Sequence, residues 1–278
     1  MDQQGIYLYC FTRAGTAVGD LGTPADGGPD VAALDVGQVT AVISRVGLGE
    51  FSAASPSARG EDPEWVVSRA CRHERIIEQT MRAGPVLPVK FGTVFSSEQA
   101  LRTAMRQMGD GIAHVLARLV DKEEWAVKVF VDDAKAREWL LATDPILAAR
   151  QRNLPESPGL RYLQARRIDD DADRALRRRR TAVAEEIQGE FRDCGAAMHP
   201  LKLQPKGVSG RDADMVLHLA MFMNRNDVPV LEARVRRLGA AYAGRGIALE
   251  VTGPWPPYHF CPPPEATADE ASSVLHST

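Results

Sequence analysis

The sequence predicts an α+β protein with two domains, the C-terminal one ferredoxin-like (β-α-β-β-α-β) with a long inserted helix. Its 278 residues are many for one core, since domains cluster around ~100–150 residues. Apolar runs typical of strands and amphipathic stretches typical of helices recur along most of the chain. We therefore expect an N-terminal α+β domain at 1–120, a ferredoxin-like domain with a long helical arm at 121–260, and a disordered tail at 261–278.

The N-terminal half begins with strands. Residues 5–11 (GIYLYCF) are rich in aromatic and β-branched side chains, which predicts a buried strand. A stretch rich in Gly, Pro and Asp at 19–30 predicts a mobile loop. Two short strands are expected next, at 31–36 and 38–46, separated by Gly37.

Two amphipathic helices complete this half. The first follows the loop SAASPSARGEDP, in which Pro63 suits a first helical turn, and it ends at Gly84. One face of it carries residues at spacings of three and four, namely Val66, Ala70, His73, Ile77 and Met81. An extended segment at 85–95 (PVLPVKFGTVF) leads to the second helix, for which Ser96 and Gln99 form a capping box.

The C-terminal half supplies the ferredoxin-like order. EWAVKVFVD predicts a strand from Glu124, and a helix follows from about Asp133 with a kink at Asp144-Pro145. The later elements are a polar helix from about Gly159 to Arg192, strands at 198–205 and 213–223, a helix from about Val228 to Ala243, and a strand at 247–253. The proline-rich, polar composition after Phe260 predicts disorder.

Composition excludes several classes of function. A formal net charge of −3 predicts no general attraction to nucleic acid or to anionic membranes. No stretch approaches ~18 uninterrupted apolar residues, so no membrane span is expected. The N-terminus has no pattern of a signal peptide, which favours a cytosolic location. The cysteines Cys10, Cys71, Cys194 and Cys261 are scattered without a C-x-x-C pair and are expected to be reduced.

The dipeptide His73-Glu74 raises the question of a general base or a metal ligand, with Cys71 nearby. A metal site needs three or four converging ligands. On a helix, positions 71 and 73 point roughly 200° apart and cannot both face one ion. Because His73 lies on the apolar face, the sequence favours a buried histidine bonded to backbone or to a carboxylate. No metal or organic cofactor is expected.

The segment PVLPVKFGTVF has two interpretations. Pro85 and Pro88 keep the backbone extended but cannot donate in a central ladder, and Gly92 permits a bulge or a close backbone approach. In one interpretation Phe91 and Phe95 are core residues. In the other, the segment is an exposed edge that accepts a strand from a partner.

The segment TGPWPPYHF at 252–260 also has two interpretations. Its prolines predict a stiff, extended exit from the last strand. The segment could strap across its domain and bury Trp255. Alternatively, Trp255 and Tyr258 form a rigid aromatic anchor for another protein, since Trp and Tyr are enriched among interface hot spots.

The run DDDADRALRRRR at 169–180 lies on the long polar helix. It reads as a solvated face with favourable i,i+4 pairs such as Asp173 with Arg177. A helix of ~34 residues is roughly 50 Å long and cannot bury itself wholly on a four-stranded sheet, so a docking arm is the other interpretation. The candidate partner-binding residues are Arg177, Arg178, Arg179, Arg180, Trp255 and Tyr258.

Three stretches of the chain resemble the gas vesicle GvpL/GvpF family. They are HERIIEQTMRAGPVLPVKFGTVF (73–95), EWAVKV (124–129) and TGPWPPYHF (252–260), and they occur in the family's order. Lys90 stands where arginine is the commoner residue before Phe-Gly-Thr. The opening strand GIYLYCF is also similar to the family.

The resemblance implies a structural or assembly protein of gas vesicles, the gas-filled protein shells of buoyant microbes. It implies that the protein is not an enzyme and that it is located at the gas vesicle in the cytoplasm. The partners it implies are the major gas vesicle shell protein and accessory gas vesicle proteins, without nucleic acid or membrane.

Two other classes of protein are alternatives to a structural or assembly role. A small-molecule- or nucleotide-binding enzyme is the alternative, but the chain has no G-x-x-x-x-G-K-[ST], G-x-G-x-x-G, G-x-S-x-G or H-E-x-x-H pattern. An RNA-binding domain could use a ferredoxin-like sheet, but the predicted strand ADMVLHLAMFM lacks the aromatic motif that such sheets present.

Overall fold

The computed structural model describes residues 4–18, 30–51, 63–194 and 196–261. The chain divides into two compact units, a first unit of residues 1–123 together with those from Trp255 onward, and a second unit of residues 124–254. The two predicted loops of the N-terminal half and the predicted tail lie outside the described residues, apart from Asp30, Pro63 and Cys261.

The first unit is built on a sheet of five strands. They are β1 (Gln4–Arg13), β2 (Val31–Val36), β3 (Val39–Gly47), β4 (Val86–Pro88) and β5 (Val94–Phe95). The sheet has the order β2-β3-β1-β4, with β5 also pairing with β1, and these pairs are antiparallel. Every residue of β1 from Gly5 to Thr12 is buried, because neighbouring elements cover both faces of this strand. That explains its continuous apolar sequence.

Helices α1 (Leu48–Phe51), α2 (Pro63–Met81) and α3 (Glu98–Leu119) complete the first unit. Both long helices contact β1. The side chain of Ser97 accepts a hydrogen bond from the Ala100 N–H and caps α3, one residue later than the predicted capping box. The predicted extended segment at 85–95 is interrupted between β4 and β5, where Gly92 has a φ of 84°.

The second unit contains β6 (Lys122–Val131), α4 (Asp133–Thr143), α5 (Pro145–Arg152), α6 (Pro158–Phe191), β7 (Ala197–Pro200), α7 (Lys206–Ser209), β8 (Asp214–Asn224), α8 (Val228–Ala241) and β9 (Ile247–Trp255). Its sheet has the order β7-β8-β6-β9, and β7 is antiparallel to β8. The predicted α+β class is therefore confirmed for the chain.

Two local predictions in this unit need correction. The predicted kink at Asp144 is a break between α4 and α5, because the Asp144 carboxylate accepts hydrogen bonds from the Ile146 and Leu147 N–H groups and caps a new helix. The predicted strand at 198–205 ends at Pro200. Residues 201–205 have no regular secondary structure, although the Leu201 N–H still donates to the His218 carbonyl of β8, and Pro205 precedes the short helix α7.

Helix α6 has 34 residues and meets different surroundings along its length. Its C-terminal half contributes Val183, Ile187 and Phe191 to the core over the sheet. Its middle packs Ile168 and Ala172 against Leu147 of α5 in a separate cluster. Residues 158–164 are exposed. The expectation that so long a helix could not bury itself wholly on its sheet is confirmed.

Gly246 has a left-handed backbone conformation, and there is no room for a side chain at this position. Its φ is 69°, and its carbonyl accepts a 2.8 Å hydrogen bond from the Asp132 N–H at the start of α4. A Cβ at this position would stand 2.8 Å from the Asp132 carbonyl oxygen and would also strike the backbone of Ala136. The end of β6 and the start of α4 therefore depend on glycine here.

We predict that Gly246→Ala lowers the free energy of unfolding by about 2–4 kcal/mol, through the left-handed backbone and the collision with α4. Gly244→Ala is the control, because Gly244 has a φ of 75° but no heavy atom near its missing Cβ. The control should cost only about 1 kcal/mol. Urea unfolding followed by circular dichroism measures both, and equal losses would contradict the close approach.

Candidate interaction sites

A buried hydrogen-bond network links β1, α2 and the turn between β4 and β5. We call it the Tyr7–His73 network, and it consists of Tyr7, His73, Val89 and Gly92. The Tyr7 hydroxyl lies 3.0 Å from His73 Nδ1, and His73 Nε2 lies 3.1 Å from the Val89 carbonyl oxygen. The Gly92 N–H donates to the Tyr7 hydroxyl oxygen at 3.1 Å. Elements distant in sequence are thus joined by consecutive hydrogen bonds.

The direction of these bonds assigns the tautomer of His73. A carbonyl oxygen can only accept, so the proton lies on Nε2, and Nδ1 accepts from the Tyr7 hydroxyl. The rings of Tyr7 and Phe91 meet the imidazole nearly edge-on, with ring centroids 5.7 Å and 5.8 Å away. Both nitrogens of the imidazole are therefore occupied, and the rings of Tyr7 and Phe91 lie next to it.

Burial controls the protonation of this network. Desolvation lowers the pKa of His73 from its ordinary 6.5 to about 4, although its hydrogen bond to Val89 opposes the shift. Burial also raises the pKa of the Tyr7 hydroxyl well above its usual range. At neutral pH both groups are uncharged. The predicted interpretation of His73 as a buried histidine bonded to backbone is confirmed.

This arrangement does not resemble a catalytic or metal site. A general base needs a free nitrogen within reach of substrate, whereas both nitrogens of His73 are bonded internally. Cys71 is exposed while His73 is buried, as their helical spacing requires. Within the described ranges, no group of three or more His, Cys, Asp or Glu side chains could hold a metal ion.

A second set of hydrogen bonds extends the polar core. The Tyr9 hydroxyl lies 2.9 Å from Ser44 Oγ, and Arg72 Nε donates to the same hydroxyl at 3.4 Å. Arg72 is only 4% exposed, which is unusual for a guanidinium and is tolerated where it finds hydrogen-bond acceptors. Strand β1 thus presents two adjacent inward tyrosines, both used as polar links to neighbouring elements.

The C-terminal segment returns to the first unit. The Tyr258 hydroxyl donates to Glu74 Oε1 at 2.8 Å, a contact that spans 184 positions in sequence. Pro256 and Pro257 are buried, and Tyr258 packs against the cluster that contains Tyr7 and Ile77. Burial raises the pKa of Glu74, and the Tyr258 bond partly offsets this. Residues 256–258 therefore form a strap over the side of α2 that carries Glu74.

Trp255 and Phe91, which one interpretation of each segment predicted to be buried, are exposed. Trp255 is 41% exposed, so the strap is formed by Pro256, Pro257 and Tyr258 and does not bury the tryptophan. Phe91 is 39% exposed while Phe95 is buried, because the turn at Gly92 separates the two phenylalanines. Only Phe95 fits the prediction of a core role.

The predicted block of arginines on α6 divides into two pairs. Arg177 and Arg178 are exposed. Arg179 contacts Glu186 at 3.2 Å and lies over the Tyr242 ring. Arg180 joins Asp133 and Asp214, each at 3.1 Å. The first pair faces solvent, whereas the second pair is held by other elements of the second unit.

The expected i,i+4 pair of Asp173 with Arg177 is not formed in the described part of the chain. Asp173 instead contacts Arg137 of α4 at 3.5 Å, and Asp169 pairs with the same arginine. These acidic residues attach α6 to α4. Sequence analysis missed the tertiary partners, because Arg137 is distant in sequence.

None of the helices in the described ranges combines the length and apolarity that crossing a bilayer requires.

Comparison with known proteins shows which family and which solved structures this chain resembles. The family model of the gas vesicle synthesis protein GvpL/GvpF matches residues 5–262. Gas vesicle protein L of a Streptomyces species is 28% identical over 257 residues, covering 91% of each chain. Gas vesicle protein L1 of Halobacterium salinarum is 25% identical and covers 73% of each chain. The crystal structure of gas vesicle protein GvpF from Anabaena has a TM-score of 0.64 at 17% identity, covering 92% of this chain and 98% of that one, which indicates a shared fold.

The depressed pKa of His73 predicts a pH dependence of stability. Between pH 6.5 and about 4 the unfolded chain binds a proton at this histidine that the folded chain does not. The free energy of unfolding should therefore fall as pH falls through this window, by up to about 1.4 kcal/mol per pH unit from this group. Glu74 contributes with the opposite sign, because its pKa is raised.

The variant His73→Gln isolates that contribution, because Glu74 is common to both proteins. Glutamine can still donate to Val89 and accept from Tyr7, but it does not titrate. The difference in unfolding free energy between wild type and variant should shrink as pH falls from 6.5 to 4. His114→Gln is the control, since His114 is an exposed residue of α3. A difference that stays constant across this window would contradict the buried neutral imidazole.

Proposed function

Since the chain belongs to the GvpL/GvpF family of gas vesicle synthesis proteins, we propose that it is a structural or assembly protein of gas vesicles that works by binding other proteins. The partners we propose are the major gas vesicle shell protein and accessory gas vesicle proteins, met in the cytoplasm while vesicles form. Its relatives in Streptomyces and Halobacterium salinarum are themselves named gas vesicle proteins.

The observation that supports binding over catalysis is the closure of the Tyr7–His73 network. The most catalyst-like residues of the chain, His73 and Tyr7, are buried and are bonded to each other and to backbone. The motif residues of the family serve there to join β1, α2 and the turn between β4 and β5. A chain whose most reactive side chains hold its own fold acts through its surface.

The surface residues that we propose for partner contact come from the six candidates that the sequence suggested. Arg177, Arg178 and Trp255 are exposed. Arg179 and Arg180 would have to leave internal partners to reach another protein, and Tyr258 would have to leave Glu74. We propose that Arg179 and Arg180 position Arg177 and Arg178 for a contact on the second unit. Tyr258 positions Trp255 for a separate contact on the first unit.

We also propose that the second unit is a ferredoxin-like domain whose first crossover is enlarged by α5 and α6. Its main elements follow the order β-α-β-β-α-β, with β6 lying between β8 and β9 in the sheet. The domain boundary then falls near residue 120, and the segment from Trp255 belongs with the N-terminal domain. A long crossover adds surface without altering the sheet.

Deletion of the gene in a host that makes gas vesicles tests the proposed function. We expect fewer or misshapen vesicles by electron microscopy, restored by the wild-type gene. Vesicles of normal number and shape would contradict the assembly role if pull-downs also recovered no shell or accessory protein.

The double variant Arg177→Ser, Arg178→Ser should weaken binding to a purified gas vesicle partner by about 10-fold, since it removes two charges that orient a partner. Its melting temperature should stay unchanged, because both side chains are exposed. Arg236→Ser is the control, an exposed arginine on α8 that contacts Glu232. Equal weakening in both proteins would indicate a general charge effect.

Substitutions of Trp255 and Tyr258 should have different effects, the first on partner binding and the second on stability. Trp255→Ala should reduce partner binding with a loss of less than about 1 kcal/mol in unfolding free energy, because the indole is substantially exposed. Tyr258→Phe should cost about 1.5–3 kcal/mol, since it removes a hydrogen bond to a carboxylate. Thermal unfolding and partner titration measure both, and a large stability loss in Trp255→Ala would assign the tryptophan to the core.

A further inference from the structure

The outer ends of α5 and α6 carry a positive charge that the chain as a whole does not. Residues 145–168 contain five arginines and one acidic residue, Glu156, whereas the complete chain has a formal charge of −3. The same stretch contains exposed apolar side chains. Leu160 and Leu163 are each 56% exposed on the first turns of α6. Exposed apolar residues beside clustered arginines are a combination found at interaction surfaces.

A cleft of about 600 Å³ lies between these two helices. We call it the α5–α6 cleft. Its charged and polar lining includes Arg150 of α5, Asn153 directly after that helix, and Gln164, Arg167, Asp171 and Arg174 of α6. Ile168 contributes an apolar lining beside them. The cleft belongs entirely to the second unit, so its shape depends only on how α5 and α6 pack.

The charges in the cleft are unequally matched. Asp171 contacts Arg150 at 2.5 Å and also pairs with Arg174, and the bond to Arg174 is the main cause of the lowered pKa of this carboxyl. Asp170 also lines the cleft. Arg167 forms no ion pair with any residue in the described ranges. The cleft therefore presents three guanidinium groups to two carboxylates and keeps one arginine available.

The exposed leucines continue the face of α6 that lines the cleft. At ~100° per residue, Leu160 and Leu163 lie within about 40° of Arg167 around the helix axis. The face therefore runs from the cleft to the N-terminal end of α6 and changes from charged to apolar along its length. Arg161 lies about 120° away from Arg167 and belongs to another face.

We propose that the α5–α6 cleft and the adjoining Leu160–Leu163 face bind an acidic, amphipathic helix of a partner protein. Carboxylates of the partner pair with Arg167 and the neighbouring arginines, and its apolar stripe covers the two leucines. This is helix-in-groove recognition, in which apolar anchors at helical spacing set the position and charges set the orientation. The inference rests on the proposed function only for the existence of a protein partner.

Geometry and charge favour a protein over other polyanions. A nucleic acid would leave Leu160 and Leu163 without an apolar contact, because it presents phosphates and sugars along its surface. A bilayer presents a flat surface, whereas this site is concave next to the leucines. A helix with acidic and apolar stripes matches both parts of the site.

The test uses the full chain and a fluorescent 20-residue peptide of Leu, Glu and Ala, with Leu at helical spacings of three and four. Anisotropy should show binding to this peptide and at least 10-fold weaker binding to the same peptide with Lys in place of Glu. Arg167→Glu should weaken binding at least 10-fold. Arg161→Glu is the matched control, and it should change binding less than threefold.

The double variant Leu160→Ser, Leu163→Ser tests the apolar half of the site and should also weaken binding at least 10-fold. Circular dichroism and melting temperature verify folding of each variant, and Arg167→Gln replaces Arg167→Glu if the charge reversal unfolds the chain. Equal effects of Arg161→Glu and Arg167→Glu would overturn the proposal. So would equal binding of the two peptides, or tighter Arg167-dependent binding to anionic vesicles or to a single-stranded RNA oligonucleotide.

These outcomes are independent of the proposed function. The peptide experiment contains no gas vesicle protein, so its failure removes the cleft as a site without affecting the contact assigned to Arg177 and Arg178. A loss of gas vesicle partners in the pull-down, with the peptide still bound, would contradict the gas vesicle role and leave the cleft intact.

Discussion

The two hydrogen bonds of a single imidazole constrain much of the first unit. His73 accepts a hydrogen bond from the Tyr7 hydroxyl on the central strand and donates one to the Val89 carbonyl. The Gly92 N–H donates to the same tyrosine hydroxyl. A helix, a strand and a turn are held in one arrangement by these hydrogen bonds, and the two made by the imidazole are buried. Buried polar groups of this kind are expensive when unpaired, so any other packing of these segments would leave at least one donor or acceptor unsatisfied. The network thus supplies specificity more than net stability.

The second unit is organised differently, by apolar packing and surface charge. Phe191 and Ile187 of α6 lie fully buried over the sheet, and the helix extends well beyond what that sheet can cover. Ion pairs attach its middle to α4, through Arg137. Such exposed pairs contribute little stability individually, but several along one helix fix its direction. The result is a rigid helical extension whose surface can vary without disturbing the core.

Local patterns in the sequence predicted the elements well and the tertiary contacts poorly. Strand β1 and helix α6 were readable because composition and periodicity act over a few residues. The exposure of Trp255 was not, because it depends on tertiary contacts, in which Pro256 is buried and Tyr258 bonds to the distant Glu74. Arg180 looked like part of a solvated run, yet it bridges Asp133 and Asp214 from two other elements. Gly92 was the one local signal of a turn inside the extended segment, since its φ of 84° suits glycine.

The bond between Tyr258 and Glu74 joins two parts of the first unit that are separated in the sequence by the whole of the second unit. During synthesis the ribosome releases residues 1–123 first, then the whole of the second unit, and only afterwards the strap. Domains generally fold in the order in which they emerge. The second unit can therefore complete its fold while Glu74 still lacks its tyrosine, and the first unit receives its last contacts only after the second unit has emerged.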